Sequence, residues 1–287
     1  MGFVGALVVL ICVFGGFAIH GGNVLVVWQP TEYLIIGGAA IGGMIIANPT
    51  ATIKMAISRG LKGWMGKHPS KADYVELLQL MFQLFQIFRK DGPQAVERHI
   101  EEPEKSEIFK NYESFLKNHH AVDFLCDTMK ITLSADLSQY DVDDLLTGDI
   151  KAAHTEEHSA QHAVQQVAEA LPGLGIVAAV LGVVHTMSLL DQGTEVIGHS
   201  VGVALVGTFL GVLACYGFVG PTATKMGHDI EAEGRYMEVI KAALIALQRG
   251  SPPLVCVEFA RRTILPHDRP SFKELDEKVK SAGKKAA

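Results

Sequence analysis

Three histidines, His154, His158 and His162, recur at i, i+4, i+8 and would share one face of a helix. Three imidazoles so arranged are enough ligands for a metal such as zinc. Glu156 and Glu157 lie among them, and a run this polar reads more simply as a solvated helix face. We expect no metal and no cofactor. The remaining chemistry-bearing residues do not gather into a catalytic set: there is no nucleophile–base pairing, no phosphate-binding glycine loop and no paired cysteine spacing. Cys12 and Cys215 sit in apolar runs, Cys126 and Cys256 in charged ones, so free thiols in a reducing compartment are expected rather than disulfides. An enzyme is not expected.

The charges are the stronger signal. All 25 lysines and arginines fall within residues 48–168 and 223–287, and none within 1–47 or 169–222, which hold the long apolar runs. A soluble protein scatters its cations over its surface, whereas a membrane protein retains Lys and Arg on the cytoplasmic flanks of its spans. A net charge of −6 with acids and bases interspersed excludes the basic stripe of a nucleic-acid binder.

Four apolar segments follow, at roughly 3–20, 33–51, 171–190 and 200–222. Each approaches the ~20 helical residues that cross a bilayer. The first begins almost at once, with no basic leader or small-residue cleavage site, and is expected to be a retained span. The connections 21–32 and 191–199 carry only Glu32, Asp191 and Glu195, so they are expected outside, where these acids could attract cations. Both termini and the 48–168 block are then cytoplasmic. Small residues recur four apart in the spans (Gly38/Gly42, Ala39/Gly43, Gly175/Ala179, Ala178/Gly182, Gly207/Gly211), a spacing that lets helix backbones approach closely. No Asp, Glu, Lys or Arg is placed deep in any span. His185 is the nearest ionisable group, and snorkelling to the interface is its plainer role. Ion handling would then need a carboxylate from a partner, because such groups are costly in a bilayer and retained for function.

The expected fold is an all-α membrane protein, with four spans in two pairs and a helical cytoplasmic domain formed by the 48–170 insertion and the C-terminal tail. In chain order this gives spans 1 and 2 (1–51), a cytoplasmic helical domain (52–170), spans 3 and 4 (171–222) and a cytoplasmic helical segment (223–287). Tyr74, Leu77, Leu78, Met81, Leu84, Phe85 and Phe88 predict an amphipathic helix over 71–90, ended by Asp91-Gly92-Pro93. Further helices are expected at 104–118, 121–133 and 139–147. From about 149 no breaker occurs before Pro172, so one helix is expected to run into the third span. The fourth span is expected to continue past Pro221 as far as Gly250.

The motifs Leu171-Pro-Gly-Leu-Gly-Ile-Val-Ala-Ala-Val-Leu-Gly-Val-Val-His185 and Val206-Gly-Thr-Phe-Leu-Gly-Val-Leu-Ala-Cys-Tyr-Gly-Phe-Val-Gly-Pro221 resemble the third and fourth spans of MotA-type flagellar stator subunits. Glu97-Arg-His-Ile-Glu-Glu-Pro103, Ser106-Glu-Ile-Phe109, Pro252-Pro-Leu-Val-Cys-Val-Glu-Phe-Ala-Arg261 and Arg269-Pro-Ser-Phe-Lys-Glu-Leu275 extend the resemblance over nearly the whole chain, in order. It implies an inner-membrane subunit that forms a homo-oligomeric ring, described as a pentamer, around the spans of a MotB dimer. MotB would supply the ion-binding aspartate and the anchor to peptidoglycan. Ion passage would turn the ring against the rotor protein FliG. The resemblance further implies rotor contact by Arg89 and Glu97, coupling through Pro172 and Pro221, and an ion path lined by Ala179 and Thr208. Sodium-driven relatives tend to carry threonine where this chain has Ala179, so protons are expected.

An ExbB- or TolQ-like energising subunit is the alternative, but those usually have three spans and lack the Arg269-Pro-Ser-Phe272 block. A transporter working alone would show internal repeats and a polar residue at midplane; the sequence offers neither.

Overall fold

A computed structural model describes residues 2–65, 68–134 and 137–285 of the chain. It contains twelve α-helices and no strand among the described residues. They form two compact units, one from residues 1–66 and 155–230, the other from 67–154 and 231–287. Four stretches are long and apolar enough to cross a membrane: Gly2–Ile19, Val24–Ala47, and the apolar parts of Gln139–Met187 and Thr194–Gln248.

The first unit opens with α1 (Gly2–Ile19), which buries no residue. A short 3-10 turn at Val24–Val27 follows, capped by Asn23, whose side chain accepts from Leu25 N at 3.0 Å. Helix α2 (Pro30–Ala47) starts on a proline at its first position, where the missing N–H costs nothing. The sequence places Glu32 in the outer loop; in the structure it lies in the first turn of α2. Asn48 Nδ2 donates back to Met44 O at 3.0 Å, and Pro49 separates α2 from α3 (Thr50–Met65). Helix α3 is an element the sequence reading left unassigned. Its Ala56 packs against Ala160 and Ala163, Arg59 pairs with Glu157, and Trp64 Nε1 donates to Thr222 Oγ1 at 2.9 Å.

Helix α4 (Lys71–Asp91) is the centre of the second unit. Ser70 and Asp73 close a capping box at its start, satisfying N–H groups that the helix itself leaves free. The predicted stripe is buried from Tyr74 to Phe85 and partly buried at Phe88, but Leu80 and Gln83 outside it are buried too. The reason is that α4 is enclosed by α5 (Pro93–Glu101), α6 (Glu113–Leu116), α11 (Pro253–Thr263) and α12 (Phe272–Lys285) rather than resting on a single face. Each fully buried Leu or Phe contributes about 1.5–3 kcal/mol.

The helix expected at 104–118 is not formed. That stretch folds into turns, a 3-10 turn at Phe109–Asn111 and the single turn α6. Local partners outcompete the helix there: Ser106 Oγ accepts from Ile108 N, and Glu76 Oε1 accepts from Ser114 N (2.9 Å) and Phe115 N (3.1 Å), freeing Phe109 and Phe115 to insert into the core. Helix α7 (His119–Ser134) matches its expectation. The separate helix expected at 139–147 is instead the start of α8 (Gln139–Met187), which is continuous through Gly148 and Pro172. Ser138 and Asp141 cap its first turn reciprocally (Ser138 N to Asp141 Oδ2 3.1 Å, Asp141 N to Ser138 Oγ 3.3 Å). Helices α9 (Thr194–Ala214) and α10 (Gly220–Gln248) are joined by the wide turn Cys215–Val219, with no non-helical residue between them.

Glu258 on α11 ties the C-terminal elements together. It accepts from Arg261 Nε at 2.7 Å and Nη2 at 2.8 Å and from Arg262 Nε at 2.8 Å, while Arg261 Nη1 reaches Pro270 O at 2.9 Å. Hydrogen bonding from Arg261, opposed by burial and aided by Arg262, holds the Glu258 carboxyl down at about 2 against an ordinary 4.5. A depressed folded-state pKa stabilises the fold above the ordinary carboxylate range, and that contribution is lost as pH falls from about 4.5 towards about 2. Glu258→Gln is therefore expected to lower the stability of the full chain by about 2 kcal/mol at neutral pH. In thermal melts, the gap from wild type should close as the buffer is acidified through that window. A gap that stayed constant with pH would overturn the assignment.

Candidate functional site

Helices α8 and α9 cross within the first unit at unusually short range, and the small residues explain it. A Cβ placed on Gly211 would lie 2.5 Å from Leu171 O and 2.9 Å from Gly175 Cα. One on Gly175 would lie 2.8 Å from Gly207 O and 3.2 Å from Thr208 Cα. Further along, Gly182 meets Ala204 in the same way, with 2.6 Å between a Cβ there and the alanine methyl. Three of the five small-residue pairs thus serve one antiparallel crossing. Open space surrounds Gly38, Gly42 and Gly43 of α2 within this chain.

The expected ion-path residues lie at this crossing. Thr208 backs onto Gly175, and the backbone N of Ala179 is 3.3 Å from a Cβ on Gly207. Both are half-buried in the single chain. Ala179 presents a methyl group and Thr208 a hydroxyl, so the two offer little to replace the hydration shell of a metal cation.

Glu32, which sequence reasoning left in a loop, also belongs to this place. It is 4% exposed, and its Oε2 lies 2.5 Å from a Cβ position on Gly207. The absence of a side chain at Gly207 makes room for the carboxyl group. The signal that could have found it is Gln29-Pro30-Thr31-Glu32, a helix start with proline at the first position and an acid in the first turn. Glu32 thus lies in the first turn of α2 rather than deep in the span, and there this chain's own carboxyl group is buried against α9.

Pro172 and Pro221 lie near the same end of the crossing. Pro172 sits inside α8, directly after Leu171, whose carbonyl faces Gly211. Pro221 follows the wide turn, in which Gly220 N bonds Cys215 O, five residues back, instead of the usual four. A proline ring would strike the carbonyl of the preceding turn in a regular helix. The inserted residue widens the turn and lets α10 continue past Pro221, as the sequence leads one to expect.

Arg89 and Glu97 belong to the second unit, on either side of the α4–α5 corner. Gly92 turns the chain there with φ +84°, a conformation that suits glycine, and Pro93 starts α5. Val96 and Ile100 are fully buried and fix the face of α5, leaving Glu97 exposed, as is Arg89 at the end of α4. Neither forms an ion pair among the described residues. His154, His158 and His162 all fall on α8; His154 Nε2 is 3.2 Å from Glu231 Oε1, and His162 is exposed.

Comparison with known proteins matches residues 3–92 to the family described as Motility protein A N-terminal, and 115–239 to the MotA/TolQ/ExbB proton channel family. The chain is 35% identical to Motility protein A of Salmonella typhimurium over 277 residues, covering 96% of this chain and 94% of that protein. Motility protein A of Escherichia coli gives the same identity and coverage. Chemotaxis protein LafT of Vibrio parahaemolyticus is 34% identical over 274 residues, 96% of each chain. In fold, the chain resembles a subunit of C. jejuni MotAB (TM-score 0.78, 19% identity, 94% of this chain and 98% of that one). It likewise resembles one of the MotAB stator complex from Bacillus subtilis (TM-score 0.75, 21% identity, 96% and 98%).

Proposed function

The chain belongs to the motility protein A family, within the MotA/TolQ/ExbB proton channel group, and on that premise we propose that it is the ring-forming subunit of a proton-driven flagellar stator. The observation that carries this reading is identity at 35% along nearly the full length of a motility protein A. It is an inner-membrane protein, with four helices of spanning length and composition. The alternative of an ExbB- or TolQ-like energiser is not favoured, since the full-length relatives are motility and chemotaxis proteins.

In this reading both termini and the unit built around α4 are cytoplasmic, as the segregation of cations supports. A MotB-like partner supplies the anchoring domain and an ion-binding aspartate, several copies of this chain surround its spans in the lipid, and FliG receives the torque through Arg89 and Glu97. Each elementary charge crossing 100 mV supplies about 2.3 kcal/mol, several times thermal energy. Pro172 and Pro221 sit where such a step could be passed from the α8–α9 crossing into α8 and α10. The chain itself does mechanical and conductive work rather than catalysis.

Co-expressed with its partner in cells that lack a stator, the chain should restore swimming at a speed that follows proton-motive force and ignores external sodium. Speed that scaled with sodium would overturn the proton reading, and failure to restore any rotation would overturn the stator reading.

A further inference from the structure

The side chain of Glu32 is nearly sealed from solvent, and no donor lies within hydrogen-bonding distance of its Oε2 among the described residues. No other buried side-chain oxygen or nitrogen among them is left in that state. An ionised carboxylate held this way costs several kcal/mol, and the cost is removed when the group binds a proton or a cation. What surrounds the oxygen decides between the two. The point 2.5 Å from Oε2, where a Gly207 side chain would start, is 3.0 Å from the Ala178 methyl and 3.3 Å from the Ala179 backbone N. A metal cation needs a shell of several oxygens; a proton needs only the carboxylate.

The other charged and titratable groups on the stretches packed about α2 are Glu195 and His199 near the start of α9, Glu169 and His185 on α8, Lys54, Arg59 and Lys62 on α3, and Tyr33, next to Glu32 on α2 itself, whose hydroxyl donates to Val27 O. None of them hydrogen-bonds Glu32.

We propose that Glu32 is a proton-carrying site of this chain, placed beside Ala179 and Thr208 on the route to the partner's carboxylate. This rests on the ion-conducting reading above. The step is a plain transfer. An O–H bond of a hydronium ion on the outer side breaks, leaving water, as an O–H bond forms on the Glu32 carboxylate; that bond breaks in turn as the proton forms an O–H bond on the acceptor carboxylate of the partner, and Glu32 returns to its anionic form with nothing oxidised or reduced. The wall of the path is then not passive, and two carboxyl groups, one from each kind of subunit, act in sequence.

The experiment uses the complex of this chain with its MotB-like partner in native membranes. A hydrophobic carbodiimide, which reacts with protonated carboxyl groups in apolar surroundings, is applied across a pH series, and adducts are mapped by mass spectrometry. Proton flux is measured in parallel for wild type, Glu32→Gln and Glu32→Asp. We expect an adduct on Glu32 whose yield falls as pH rises. Glu32→Gln, which keeps the shape but cannot carry a proton, should lower flux by about tenfold or more with the partner still co-purifying, and Glu32→Asp should retain more flux than Glu32→Gln. If Glu32→Gln fails to assemble, labelling of the wild-type complex decides alone. Glu32 unlabelled at every pH, or wild-type flux in an assembled Glu32→Gln complex, overturns the proposal while leaving the stator reading intact. A wild-type complex that passes no protons overturns the stator reading and this inference with it.

Discussion

Gly211→Ala is expected to abolish assembly of a working complex, although it adds only one methyl group. The new Cβ would lie 2.5 Å from Leu171 O and 2.9 Å from Gly175 Cα. Both are backbone atoms, so no side chain can rotate away, and the helices must separate. Adding a methylene to a packed interior commonly costs about 1–3 kcal/mol, and a clash against backbone belongs at or above the upper end. Separation would also disturb Gly175, Gly207 and Thr208, which share the crossing. The check is co-purification with the partner, together with swimming. Gly148→Ala is the control: it lies in α8, the helix that α9 and its Gly211 cross, meets nothing within 4 Å, and should add stability of about 0.5–1 kcal/mol from helix propensity. Normal assembly and motility of Gly211→Ala would show that α8 and α9 do not meet backbone to backbone at Gly211.

Reversing Arg89 and Glu97 together (Arg89→Glu with Glu97→Arg) is expected to remove most swimming while leaving the protein folded and assembled. Both side chains are exposed on either side of the Gly92 corner, and neither forms an ion pair among the described residues. Changes at such positions usually alter stability by less than about 0.5 kcal/mol. Their value is to an outside surface, where complementary charge steers encounter and fixes register more than it holds tightly. Compensating charge reversals on the rotor protein should restore part of the speed. Unimpaired swimming of the double variant would remove these residues from rotor contact.

Much of this arrangement was legible in the sequence for local reasons. The span count follows from length and hydropathy, α4 from its spacing and Gly92-Pro93 stop, and the run of α8 into the third span from the absence of a breaker. The failures were also local in cause. The 104–118 stretch has a helical pattern of apolar residues, yet Ser106 and the distant Glu76 capture its backbone N–H groups, and Glu76 is brought there only by packing. Leu80 of α4 looks exposed from periodicity because periodicity assumes one buried face, whereas α4 is enclosed on several.

The sequence by itself determined the number of spans and their places in the chain, because transfer free energy is a property of a segment's own composition. It did not determine which glycines matter. Gly38/Gly42 and Gly207/Gly211 have the same spacing, yet only the second pair touches another helix of this chain, since contact depends on how two helices are rotated against each other. Nor did it determine the fate of Glu32. Its place near an apolar boundary is a fact of sequence, but its burial without a partner against Gly207 exists only once α2 is packed on α9. Packing of residues far apart in the chain turned an acid at the edge of a span into the one buried carboxyl oxygen left unpaired among the described residues.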